Sequence, residues 1–103
     1  MAKRRSTLER DWMTLTRKRL PEAAFAQRWP IFEDHCFQRV LLDNACGGVW
    51  YDHIIGRPAY RCASQRQLEA ALALGEAALR GEADLVALNA QSLAWRRDRS
   101  GAS

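Results

Sequence analysis

The chain has 103 residues, nearly half of them apolar, with 16 Lys/Arg against 12 Asp/Glu and a net charge of +4. That length gives one domain with a modest core, and that composition excludes a disordered chain. The apolar runs are far short of a membrane span, the basic MAKRRS start has no hydrophobic stretch behind it, and three irregularly spaced cysteines exclude a secreted disulfide framework.

The expectation is therefore a cytoplasmic protein with reduced thiols and no membrane partner. Its charge is uneven. Residues 1–20 carry net +5, residues 21–95 carry −3 and residues 96–103 carry +2. Basic ends on a mildly acidic body attract phosphate, although solvated ends that serve only solubility give the same pattern.

Residues 1–5 read as a mobile basic arm. Ser6-Thr7-Leu8-Glu9 fits a capping box. Leu8, Trp12 and Leu15 then share one helical face, with Arg10 and Arg17 roughly opposite, so a basic amphipathic helix runs to about Leu20. Pro21 stops it and opens a short helix anchored by Phe25, which Trp29-Pro30 ends. A central helix follows from Ile31 to about Cys46. Phe32, Cys36, Phe37, Val40, Leu41 and Ala45 form its apolar stripe, and His35, Arg39 and Asp43 form a separate row at four-residue steps. Gly47-Gly48 ends that helix.

Residues 49–55 fit either a helical turn or a short strand, and residues 56–63 read as a loop. Ser64 and Gln67 make a second capping box, followed by a stripe of Leu68, Leu72, Gly75 and Leu79. Gly81 ends this helix, Asp84 opens the last one with Leu85, Leu88, Ser92 and Trp95 in register, and residues 97–103 read as a tail. Trp12, Trp29 and Trp95 are expected in the core. The expected fold is all-α, a compact bundle of four to five short helices spanning residues 6–96, with an irregular central segment at 47–63.

Most chemical readings fail on spacing. His35 and Cys36 are adjacent on a helix and diverge by about 100°, and the paired short spacings of a zinc site are missing, so no metal is expected. Gly47-Gly48 follows a helix where a phosphate cradle opens one, and no Walker or dinucleotide motif occurs, so no cofactor is expected either. Cys62, beside Arg61, is the best thiol nucleophile, with His53 and Asp52 as its base only if the fold joins them. Asp43 and Asp52 are expected to pair with Arg57 and Arg61, tying the irregular segment to the central helix.

The strings H-C-F-x-R-x-x-L-D-N-A-x-G-x-x-W, R-P-A-Y and L-N-x-x-S-L-x-W-R, over about residues 35–96, resemble a group of short bacterial proteins. Some of that group carry a GNAT-type N-acetyltransferase label. The resemblance implies shared residues such as His35, Arg39, Asp43, Asn44, Gly47 and Trp50. The label implies acyl transfer from acetyl-CoA, which needs a strand-loop-helix with an Arg/Gln-x-x-Gly-x-Gly/Ala loop; this chain has no such loop.

Three functions remain open. The first is a non-enzymatic protein that binds DNA or RNA through Arg4, Arg5, Arg10, Arg17, Lys18 and Arg97, with no catalytic residues. The second is a protein-binding adaptor or inhibitor that uses the 47–63 surface. Its expected surface residues are His35, Arg39, Asp43, Asn44, Trp50, Arg57, Tyr60 and Arg61. The third is a small acyltransferase-like or thiol enzyme around His53, Cys62 and Arg57.

Overall fold

The first element is a single run of helix that continues through Pro21. In the computed structural model, which describes residues 4–101, an α-helix α1 (Arg5–Thr14) passes through a π-helical turn (Leu15–Arg19) into α2 (Leu20–Gln27). The Leu20 N–H bonds the Leu15 carbonyl, five residues back. Proline has no N–H, and its ring crowds the carbonyl four residues earlier. A widened turn just before Pro21 absorbs that conflict, so the helix continues where the sequence predicts a stop. Buried Thr16 satisfies its hydroxyl inside this helix by donating to the Trp12 carbonyl at 2.9 Å.

This continuity changes which residues face inward. Leu20 and Ala24 are buried, and Phe25, about 100° further round, is 93% exposed. It is no anchor. The first capping box is absent too, because the helix starts two residues earlier than Ser6 requires and Glu9 accepts from Arg5 instead, at 2.8 Å. Of the expected arm, Arg4 caps and Arg5 opens α1, and residues 1–3 lie outside the described residues.

Helix α3 runs Asp34–Cys46, shorter than the sequence suggests, so Phe32 lies ahead of it and is 66% exposed. Its buried face is Phe37, Val40, Leu41, Leu42 and Asp43. Gly47, at φ 73°, supplies the left-handed cap. The ambiguous stretch contains a 3₁₀ turn at Trp50–Asp52, and the expected loop contains a helical turn, α4 (Ala59–Cys62). Helix α5 (Gln65–Leu79) begins on the predicted capping box, with the Ser64 and Gln67 side chains each accepting from the other's backbone N–H. Helix α6 (Leu85–Gly101) starts where Asp84 accepts from the N–H groups of Val86 and Ala87, and it continues through the residues read as a tail.

The architecture is all-α, and no strand occurs among the described residues. Helix α3 is the centre: α5 packs against it, α6 packs against it, and the continuous α1–α2 run packs on α3 and α5. The Cα radius of gyration is 13.2 Å, close to the ~13 Å expected for a folded chain of this length. Leu8, Trp12, Leu15, Leu20, Phe37, Leu41 and Leu68 form the fully buried core. Trp29 packs on that core, edge to face with Phe37 at 6.0 Å. Trp95 is only partly buried, because Ser92 and Arg96 take the inward face of α6.

Gly75 fixes how closely α5 approaches. A Cβ there would sit 2.5 Å from Leu15 Cδ2 and 3.0 Å from Leu41 Cδ1. Alanine gains about 1 kcal/mol of helix propensity, but overpacking a closed core costs about 1–3 kcal/mol. Gly75→Ala is therefore expected to lose stability, by about 1 kcal/mol net. An unchanged or raised urea midpoint would show that the Leu15 and Leu41 side chains yield freely.

Candidate functional site

Helix α6 docks on the Arg39 and Asp43 part of the α3 row, and His35 at its start stays exposed. The α6 side that meets it starts apolar at Leu85 and Leu88, then turns polar at Asn89, Ser92 and Arg96. Asp43 is fully buried, and its carboxylate accepts four hydrogen bonds. Oδ1 accepts from the Trp50 N–H at 2.9 Å and from Arg96 Nη2 at 3.1 Å. Oδ2 accepts from Ser92 Oγ at 2.7 Å and from Arg96 Nε at 2.8 Å.

Arg39 extends the network, donating to Ser92 Oγ at 2.9 Å and to Asn89 Oδ1 at 2.8 Å. Asn44 donates to the carbonyls of Val40 and Leu88, fastening α6 a turn further along. Residues from two of the three strings thus meet at one carboxylate. The hydrogen bonds that Arg96 donates to Asp43, then the charge of that carboxylate, hold the Arg96 guanidinium even more firmly protonated than usual. Burial, then the charge of Asp43, raises the Cys46 thiol above its ordinary value, so that thiol is not activated.

The expected pairing of Asp43 and Asp52 with Arg57 and Arg61 is not found. Asp43 pairs with Arg96, and Asp52 pairs with Arg99 through both carboxylate oxygens, at 2.9 and 3.1 Å. The reason lies in α6, whose continuation beyond residue 96 brings its own arginines over the segment. Hydrogen bonding to Arg99 holds the Asp52 carboxyl below its usual value. A depressed carboxylate stabilises the fold above the normal carboxylate range and loses that contribution on acidification. Here the contribution is small, because both partners are exposed.

Arg57 and Arg61 are left to aromatic rings. Arg57 lies 5.4 Å from the Trp50 ring centroid and Arg61 lies 5.9 Å from that of Tyr60. Arg96 and Arg99 flank Tyr51 at 5.4 and 4.8 Å, and Tyr51 meets Trp50 edge to face. The result is a surface over residues 50–61 and the end of α6 where the guanidinium groups of exposed Arg57, Arg61 and Arg99 lie on aromatic rings, Tyr51 exposed and Trp50 and Tyr60 half-buried against the core. Neither Arg57 nor Arg61 has a carboxylate partner among the described residues.

The predicted basic residues do not form one patch. Arg5 is engaged internally: its Nη2 donates to the carbonyls of Tyr60, Arg61 and Ala63, closing the end of α4. Arg17 faces Asp34 at 3.6 Å. Arg4, Arg10, Lys18 and Arg97 are exposed and carry no ion pair among the described residues. His35 is exposed, beside Glu33 at 3.4 Å and Asp34 at 3.6 Å.

Cys62 is exposed and packs over Gly56, whereas His53 sits against Gly48. No hydrogen bond joins His53 to Cys62 among the described residues. No three His, Cys, Asp or Glu side chains gather at a common point there, and no helix there is long and apolar enough to cross a membrane.

Sequence reasoning gives Asn89 no role and places Ser92 only in the register of the last helix; it reads Tyr51 as a ring that can stack on bases and Arg96 and Arg99 as added positive charge, without the contacts they make. A signal was available: Asn89, Ser92 and Arg96 fall at three- and four-residue steps, one face continuing from Leu85 and Leu88. No family model, no curated protein and no solved structure matches the chain.

Proposed function

We propose that the chain is a non-enzymatic binding protein whose partner is single-stranded nucleic acid. The observation that carries this reading is the guanidinium–aromatic surface, where exposed Arg57 lies on half-buried Trp50 and exposed Arg61 on half-buried Tyr60, neither arginine matched by a carboxylate among the described residues. Flat rings stack on bases, and unmatched guanidinium groups meet phosphates. Unpaired Arg4, Arg10, Lys18 and Arg97 add attraction without sequence preference. A single strand fits better than a duplex, since only unpaired bases offer free faces to Trp50 and Tyr60.

The test is fluorescence anisotropy with labelled single-stranded RNA, single-stranded DNA and duplex DNA across salt concentrations. If about four cations each meet a phosphate, the log–log salt slope is about −2.8, and affinity falls roughly 50-fold between about 50 and 200 mM salt. Trp50→Ala is expected to cost about 1–3 kcal/mol of binding while leaving the slope unchanged. Absence of binding at about 50 mM salt would overturn the reading.

A protein-binding adaptor is the second reading, and a different observation favours it. Ile55 is 96% exposed at the rim of a groove of about 520 Å³ formed with Trp50, Tyr51, Ile54, Gly56 and Arg57. That reading predicts a protein complex insensitive to salt and broken by Ile55→Asp.

A further inference from the structure

Beside the guanidinium–aromatic surface, between α3 and the 50–59 segment, lies a cleft of about 550 Å³ lined by His35, Gln38, Arg39, Trp50, Arg57 and Pro58. Its size is that of a small-ligand site. Its charge is unbalanced. Arg39 is half-buried, yet both of its hydrogen-bond acceptors, Ser92 Oγ and Asn89 Oδ1, are neutral. The nearest link to an acid runs through Ser92 to Asp43, whose charge Arg96 already matches. No carboxylate lies within ion-pair distance of Arg39 or Arg57 among the described residues. A partly desolvated guanidinium with no counter-ion is costly unless an anion completes it. The carboxylates in the neighbourhood, Glu33 and Asp34, are beside His35 at the mouth.

We infer that this cleft binds one phosphorylated nucleoside unit, with the phosphate between Arg39 and Arg57 and the base on the Trp50 indole. The guanidinium of Arg57 rests on that indole through a weak contact and is otherwise free. It leaves the ring for the phosphate, and the base takes its place. Arg39, held by Ser92 and Asn89, is the fixed half of the clamp, and its unused N–H groups supply a forked donor. Pro58, beside the indole in the lining, limits the room left for the base. This inference deepens the nucleic-acid reading and rests on it for the choice of ligand class. The same chemistry is found in a free nucleotide and in one unit of a strand.

Calorimetric titration of the full chain separates these sources. The probes are adenosine 5′-monophosphate, adenosine, and an oligoadenylate of about eight nucleotides. Adenosine is expected to bind about tenfold or more weakly than its monophosphate, and Arg57→Gln and Arg39→Gln are each expected to weaken the monophosphate by a similar factor. Arg57 is exposed and holds no helix in place, so its variant stays folded even if Arg39→Gln does not; circular dichroism checks both. Equal binding of adenosine and its monophosphate, or an unchanged Arg57→Gln, would overturn the inference. If the strand binds with a steep salt dependence and the monophosphate does not, the cleft assignment fails while the strand reading stands. If the monophosphate binds and no strand does, the cleft stands as a free-nucleotide site and the strand reading fails.

Discussion

Asp43→Ala is expected to lower the unfolding free energy by about 3–5 kcal/mol. The carboxylate is fully buried and accepts from Arg96, Ser92 and the Trp50 N–H. Removing it leaves a part-buried cation, a buried hydroxyl and a backbone donor without their acceptor. For a domain whose total stability is about 5–15 kcal/mol, that is a large fraction. With a urea slope near 1.5 kcal/mol per M, a loss of 4 kcal/mol lowers the midpoint by roughly 2.5 M. The double variant Asp43→Ala/Arg96→Ala is expected to lose less than the two single losses added, because it no longer strands the guanidinium. Strict additivity would mean that the two residues act independently. The functional surface should suffer with the fold, since the carboxylate that holds α6 on α3 also holds the backbone of Trp50.

Where a residue's environment is made by its own helix, the sequence was readable. The Ser64–Gln67 capping box, the Gly47 helix end and the buried stripe of Phe37, Val40 and Leu41 follow from local spacing alone, and the structure has them. The failures sit where another element decides. Pro21 looks like a stop until a π turn carries the helix past it, and that shift of phase turns Phe25 outward. Asp43 could have met any nearby arginine. It met Arg96, 53 positions away, because α6 packs on α3 and brings Ser92 and Arg96 to the buried end of the polar row, while Arg57 lies across a cleft from its other end. The row itself was visible as His35, Arg39 and Asp43. Its partner face on α6 looked like a lapse in an apolar stripe, and only the docking of the two helices explains both departures together.

Trp12→Ala is the other large effect, at about 3–5 kcal/mol. Trp12 is the largest fully buried side chain, inside the core formed where α1 packs against α5. No acceptor is available to its Nε1–H among the described residues. A buried donor without a partner costs about 1–3 kcal/mol, so the indole fills its site at a penalty. Trp12→Phe removes that donor and only part of the ring volume. The recovered desolvation offsets much of the smaller cavity, and the expected net loss is about 1 kcal/mol. Urea unfolding of both variants reads the difference. A wide gap, with phenylalanine near the parent chain and alanine far below it, assigns the value of Trp12 to volume alone. If phenylalanine costs nearly as much as alanine, the N–H is no burden, and the outer ring of the indole supplies packing that the rest of the core cannot replace.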